Sequence, residues 1–79
     1  EDMTADERQE MIRSMVEGLA DRLATDGGPP EDWARLIGAL GVLGETERAR
    51  AVADEALEVF ADIPEALATI RAARQRVGE

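Results

Sequence analysis

The side chains of this 79-residue chain that could carry out chemistry are mainly carboxylates, since it has 18 Asp and Glu residues but no His, Cys or Tyr. Its only hydroxyl groups belong to Ser14 and a few threonines. A nucleophile–base pair cannot be assembled from this set without giving Asp or Glu unusual roles. The preferred zinc ligands are missing, and haem ligation would fall to Met alone. We therefore expect no enzyme, no metal and no other cofactor.

Three small residues point to binding instead. Ala34, Gly38 and Gly41 are spaced i, i+4 and i+7, which places them on one face of a helix. A Gly inside a helix costs about 1 kcal/mol relative to Ala, so two of them in one helix need a reason. Close approach of a bound peptide helix is one interpretation. Close packing against a neighbouring helix of the same chain, or simple tolerance of Gly, is the other.

The net charge of −9 limits the possible partners. An acidic chain repels phosphate backbones and anionic membrane surfaces, whereas a basic peptide would be attracted. No segment approaches the roughly 20 apolar residues of a membrane span. The chain opens with Glu1 and Asp2, so we expect a piece of a longer protein whose anchor lies upstream.

Composition and periodicity predict an all-α fold with four helices, near residues 4–25, 30–43, 46–61 and 64–77. Thr4 and Glu7 match a capping box at the first helix, and Asp62 and Glu65 suggest a reciprocal pair at the fourth. The short turn at Gly44 makes the second and third helices an antiparallel hairpin. The predicted core is Trp33, Leu36, Leu40, Val52, Ala56 and Phe60, with Leu19 and Leu23 packed against it and Met15 on the same apolar stripe as Leu19.

The segment from Trp33 to Ala56 follows the spacing of one tetratricopeptide (TPR) unit, a helix pair that stacks into a peptide-binding solenoid. The positions that agree are Trp33, Leu36, Leu40, Gly44, Ala49 and Ala56, and those that depart are Ile37, Ala53 and Ala61. Leu67 and Ile70 follow Trp33 and Leu36 by the 34 residues of the TPR period. The chain is therefore predicted to be a single TPR-like domain over 1–79, a partial α-solenoid of about four helices.

In this geometry a partner helix would lie in a groove between the second and fourth helices. The small face of the second helix forms its floor, and Val42 and Ala68 add apolar contact. Acidic or polar side chains border it and could pair with basic residues on the partner. The predicted peptide-binding residues are Glu31, Ala34, Gly38, Gly41, Val42, Glu65, Ala68 and Gln75.

A more specific resemblance covers residues 9 to 61. The run Met11-Ile12-Arg13-Ser14-Met15-Val16-Glu17-Gly18-Leu19-Ala20-Asp21-Arg22-Leu23 is followed by Gly27-Gly28, by Trp33-Ala34-Arg35-Leu36 and by Val42-Leu43-Gly44. This pattern resembles the C-terminal periplasmic domain of the cytochrome c-type biogenesis protein CcmI, also called CycH, of proteobacteria. The resemblance implies a TPR-like domain in the periplasm, tethered to the inner membrane by an N-terminal part.

The same resemblance implies a chaperone that binds the C-terminal helix of apocytochrome c and presents it to the haem-ligation complex. Other subunits would then carry the haem. Two alternatives stay open: a generic TPR adaptor for protein–protein interaction, and a self-association module in which the Gly38–Gly41 face packs against a second copy.

Overall fold

The computed structural model describes residues 4–77, and within that range it contains helices and no strands. In chain order these are α1 (Ala5–Asp26), α2 (Pro30–Val42), α3 (Thr46–Val59) and α4 (Pro64–Arg76). The predicted all-α stack of helical hairpins is confirmed. α3 ends at Val59, two residues before the predicted boundary at residue 61.

The start of α1 is fixed by the predicted capping box. The backbone N–H of Glu7 donates to Thr4 Oγ1 at 3.1 Å, and the backbone N–H of Thr4 donates to Glu7 Oε1 at 2.9 Å. The predicted cap at α4 is wrong, because Ile63 is the residue that precedes the helix and it makes no side-chain capping bond. Pro64 opens α4 without one, since its fixed φ suits the first helical position and it has no N–H to satisfy.

Gly44 makes the turn between α2 and α3 with a φ of +83°. Its backbone N–H donates to the carbonyl of Gly41 at 3.0 Å, and the N–H of Glu45 donates to the carbonyl of Leu40 at 2.9 Å. This pair of bonds is the Schellman motif, which satisfies the last carbonyls of a helix and needs a left-handed residue at the turn. The two helices therefore reverse direction over three residues and form the predicted hairpin.

α2 is the central helix of the described chain. It packs against α1, α3 and α4, and α3 also packs against α4, whereas α1 packs on α2 alone. The successive short connections make α2 and α4 run in the same direction, with Gly41 near Val77 at one end of the pair. The groove-forming helices are thus held by α3 behind them and by α1 at one side.

The core lies where α2, α3 and α4 meet. Trp33 and Phe60 make an edge-to-face contact with ring centroids 6.4 Å apart, a favoured aromatic geometry. α3 contributes small residues, which let the helices approach closely. The buried side chains are Val16, Leu23, Trp33, Leu36, Ile37, Leu40, Ala49, Ala53, Ala56, Phe60, Ala66, Ile70, Ala73 and Val77.

Most of the predicted core is confirmed, including Leu19, which is partly buried and packs against it. Two residues depart from the prediction: Val52 is only partly buried, and Met15 is 67% exposed, so its placement in the core is wrong. α1 has a single neighbour and buries a narrow stripe that includes Val16 and Leu23. Met15 lies at the flank of that stripe, as Val52 lies at the flank of the alanine stripe of α3.

Candidate functional site

An open groove runs between α2 and α4, and we call it the α2–α4 groove. Its larger part has a volume of about 790 Å³, and a second part of about 330 Å³ shares Ala34, Gly38 and Arg76 with it. Small or apolar side chains form most of its surface. The lining residues of the two parts are Ala34, Arg35, Gly38, Ala39, Gly41, Val42, Thr46, Thr69, Ala72, Ala73, Arg76 and Val77.

Gly38 lies at the floor of this groove in open space. A Cβ atom added there would meet nothing within 4 Å. At Gly41 an added Cβ would lie 3.6 Å from Val77 Cγ2, an ordinary van der Waals distance. Packing inside the described chain therefore gives no reason for the glycine at position 38, whereas position 41 borders α4. A partner backbone could approach closely at position 38, where the helix offers no side chain.

Four of the predicted binding residues meet in the groove: Ala34, Gly38, Gly41 and Val42. Val42 is 79% exposed, which is high for an apolar side chain in a lined groove. Burying such a side chain fully contributes about 1.5 kcal/mol or more. The α2 side of the groove thus presents an unpartnered apolar surface at the end nearest α3.

The other four predicted residues lie elsewhere. Glu31, Glu65 and Ala68 are exposed and are not among the residues that line the groove. Gln75 lines a separate cleft between α3 and α4, beside Asp54 and Arg74. The prediction of Glu65, Ala68 and Gln75 requires that α4 turn the helix face carrying these residues toward the groove.

α4 instead turns a neighbouring face toward the groove. Its buried residues include Ala66, Ile70 and Ala73, and Ala68 lies almost opposite Ile70 at 100° per residue. The α4 wall is therefore made by Thr69, Ala72, Ala73 and Arg76. Helical periodicity around Ile70 and Val77 gives the buried stripe of α4, but it does not show which flank of that stripe forms the wall.

Two arginines that sequence reasoning missed border the groove. Arg35 is exposed and lines both the α2–α4 groove and a second groove on its other side, and Arg76 lines both parts of the α2–α4 groove. Within residues 4–77 neither guanidinium forms an ion pair, whereas Arg13, Arg22, Arg48 and Arg74 all do. The side chains that line the groove include no carboxylate.

The second groove lies between α1 and α2 and has a volume of about 410 Å³. Ile12, Met15 and Leu19 supply its apolar surface, Gly18 leaves it open, and Arg35 stands on the ridge that separates it from the α2–α4 groove. The exposed Met15 is thus a surface residue of this groove. Its flexible thioether is a side chain that adapts to varied contacts.

Ion pairs hold α1 against the α2–α3 hairpin. Arg48 donates to Glu17 with both terminal nitrogens, and Arg13 pairs with Glu45 at the turn before α3. The hydrogen bonds from Arg48 hold the pKa of the Glu17 carboxyl below its usual value. They raise the pKa of Arg48, which is protonated at any ordinary pH. Nothing in this cluster resembles a poised acid or base, since both partners are locked in their charged forms.

Two curated relatives match the chain. Cytochrome c-type biogenesis protein CycH of Rhizobium meliloti (strain 1021) is 41% identical over 59 residues, which cover 75% of this chain and 16% of the relative. The protein of the same name from Bradyrhizobium diazoefficiens is 32% identical over 77 residues, or 98% of this chain and 21% of the relative. The chain belongs to the CycH family.

The CycH relatives are much longer than this chain, which spans only 16% to 21% of their length. No family model matches the chain, and no solved structure matches it. Among residues 4–77, none of the helices has the length and hydrophobicity needed to cross a membrane. The described part also holds no grouping of three or more His, Cys, Asp or Glu side chains placed to bind a metal.

Proposed function

We propose that this member of the CycH family is a non-enzymatic peptide-binding module in cytochrome c maturation. It holds the C-terminal helix of apocytochrome c while the subunits of the haem-ligation complex attach the haem. The module is TPR-like, lies in the periplasm, and is tethered to the inner membrane by another part of the protein. It binds no cofactor itself. Family membership and the names of the two relatives support the role in cytochrome c biogenesis.

The observation that carries the binding role is the open floor of the α2–α4 groove at Gly38. Gly is unfavourable in a helix, and no neighbour in the described chain would clash with a Cβ atom at this position. Laying an amphipathic helix along the floor would bury Val42 and bring its backbone against Gly38. The glycine then has a physical reason that the isolated chain does not supply.

The contacts of the partner would run along the groove. Ala34, Gly38, Gly41 and Val42 form the floor under its apolar face. Glu31 and Glu65, which open α2 and α4, both lie in the first turn of their helices. These two, with Ala68 and Gln75, stay predicted contacts for the parts of the partner that extend beyond the groove.

The test compares Gly38→Leu with Ala51→Leu. Ala51 is exposed on α3 and does not line the α2–α4 groove, so both variants add a leucine to a helix surface. Binding of an apocytochrome c C-terminal helix peptide is measured by isothermal titration calorimetry, and folding by thermal melting. We expect Gly38→Leu to melt no lower than the parent, since Leu favours helix more than Gly, and to lose about tenfold or more in affinity. Ala51→Leu should bind like the parent.

Four outcomes would contradict the proposal. Unfolding of Gly38→Leu would show that the floor is an internal packing surface. Unchanged binding by a folded Gly38→Leu variant would place the peptide elsewhere. Equal affinity for a helical peptide of unrelated sequence would favour a generic adaptor. A concentration-dependent mass of the parent that Gly38→Leu abolishes would favour self-association through this face.

A further inference from the structure

The charge of the α2–α4 groove is opposite to that of the chain. Acidic residues outnumber basic ones by two to one in the sequence, 18 to 9. The residues lining the groove nevertheless include two arginines and no carboxylate. A partner attracted by the net charge would be basic, but a basic side chain lying in the groove would face guanidinium groups.

Arg35 and Arg76 are placed to meet a partner from opposite sides. Arg35 stands on α2 at the ridge next to the α1–α2 groove, and Arg76 ends α4. Ala34 and Gly38 line the part of the groove that Arg76 and other α4 residues border, whereas Arg35 also lines the groove on the α1 side of α2. The small surface of Ala34 and Gly38 therefore lies between the two arginines. A helix on that surface would therefore have one guanidinium at each flank.

Several other arginines join two helices through a carboxylate, whereas Arg8, Arg50 and Arg71 form no ion pair within residues 4–77. Arg22 is bound to Asp32, Arg48 to Glu17, and Arg74 to Asp54, each across two helices. Arg35 and Arg76 have no carboxylate of residues 4–77 within ion-pair distance. Guanidinium groups bind carboxylates in a bidentate geometry, so a carboxylate from a partner would complete the same arrangement in the groove.

We infer that the α2–α4 groove binds an amphipathic helix whose small apolar face is flanked on both sides by carboxylates that pair with Arg35 and Arg76. This inference rests on the proposed function, because it assumes that the groove is the peptide site. It adds the chemistry that selects the peptide. The net negative charge of the rest of the chain repels acidic peptides in general, so only one that reaches both arginines gains by binding.

The test uses two synthetic helical peptides with the same alanine-rich apolar face. One carries Glu at the positions flanking this face and the other carries Lys at those positions. Affinities for the whole chain are measured by calorimetry at low and at physiological salt. The Glu peptide would form two exposed ion pairs with the arginines, whereas the Lys peptide would make two repulsive contacts. We therefore expect the chain to bind the Glu peptide about tenfold or more tightly than the Lys peptide. Salt should reduce that preference.

Charge-reversal variants test whether Arg35 and Arg76 cause the preference for the Glu peptide. The double variant Arg35→Glu, Arg76→Glu should reverse the preference in favour of the Lys peptide. Arg50→Glu is the matched control, since Arg50 is exposed on α3, forms no ion pair within residues 4–77 and does not line the groove. It should keep the preference of the parent. Thermal melting shows whether each variant is folded.

Tighter binding of the Lys peptide by the parent would overturn the inference, because the net charge would then govern selection. An unchanged preference in the double variant, or a reversal by Arg50→Glu as well, would overturn it too. If neither synthetic peptide binds but the apocytochrome peptide still binds in a way that depends on Gly38, the inference is wrong and the proposed function is unaffected. If binding of the apocytochrome peptide does not depend on Gly38, the proposed function is wrong.

Discussion

Arg48 on α3 holds Glu17 on α1 through two hydrogen bonds, from Nη1 to Oε2 at 2.5 Å and from Nη2 to Oε1 at 2.8 Å. The same guanidinium also reaches Glu45 Oε1 at 3.4 Å. α1 and α3 do not pack directly against one another, so these long side chains bridge two helices that are not packing neighbours. The contact of α1 with the hairpin thus combines a narrow apolar stripe with charge pairing.

The stability of the folded chain should depend on the ionisation of Glu17. Because Arg48 lowers the pKa of Glu17 in the folded chain, the pair contributes stability above the unfolded pKa of about 4.3. That stability is lost as the pH falls through the folded value. We expect Glu17→Gln to flatten the fall in unfolding free energy below about pH 4.3, as measured by urea denaturation between acidic and near-neutral pH. The effect should be small because both side chains are partly exposed.

Glu10→Gln is the control for this titration. Glu10 is exposed on the same helix and forms no ion pair within residues 4–77. Its variant should keep the pH dependence of the parent. If Glu10→Gln and Glu17→Gln flattened the curve equally, general charge repulsion rather than the Arg48 pair would be responsible.

Gly38→Ala should stabilise the chain. Position 38 is in an exposed part of α2 with free space for a methyl group, and Ala loses less backbone entropy on folding than Gly. We expect the free energy of unfolding to rise by about 0.5–1 kcal/mol. Urea denaturation followed by far-UV circular dichroism measures it. A decrease would mean that the α2 backbone is not a regular helix at this position.

Gly44→Ala should instead lower the free energy of unfolding. A Cβ atom at position 44 would also meet nothing within 4 Å, but φ there is +83°. An L-residue with a side chain pays about 1–2 kcal/mol in that region. The two Gly→Ala variants therefore separate backbone strain from available space. Equal midpoints for both variants would contradict the hairpin geometry.

Phe60→Ala should destabilise the chain by about 3–5 kcal/mol, as expected for truncating a buried aromatic residue. Phe60 is 8% exposed and contacts the edge-to-face partner Trp33. Trp33 is the single tryptophan, so its fluorescence reports unfolding in urea without a label. Because a chain of this size has a free energy of unfolding of only a few kcal/mol, the variant should be largely unfolded.

Val59→Ala serves as the neighbouring control, since Val59 is 56% exposed. Its effect should stay within about 0.5 kcal/mol. A cooperative transition of Phe60→Ala near the parent midpoint would show that the aromatic pair does not hold α2 against α3.

Local patterns predicted the helices well because their causes are local. Thr4 and Glu7 are three residues apart and form the capping box between them. Gly44 adopts the positive φ that its own turn requires. The apolar spacing also located Trp33 and Phe60 in the core. At Asp62 the same local reasoning failed, because Pro64 can begin a helix without a side-chain cap.

The groove was harder to predict because it depends on how far each helix is rotated about its axis. Sequence spacing placed Gly38 and Val42 on one face of α2. It could not show which face α4 turns toward them, since that depends on packing of Ile70 against distant residues. The exposure of Met15 also depends on tertiary packing. Periodicity in the sequence does not show how many helices pack against α1, and with only one neighbour α1 leaves Met15 exposed.

Because α1 packs on α2 alone, we expect it to open locally before the unit formed by α2, α3 and α4 unfolds. Opening α1 would expose Val16 and Leu23 and break its ion pairs, yet the contacts of α2 with α3 and α4 would remain. Amide protons of α1 can therefore exchange with solvent by local opening, while those of α3 and α4 require unfolding of the three-helix unit. The residues that line the α2–α4 groove include none from α1, so we expect the groove to keep its shape when the first helix opens.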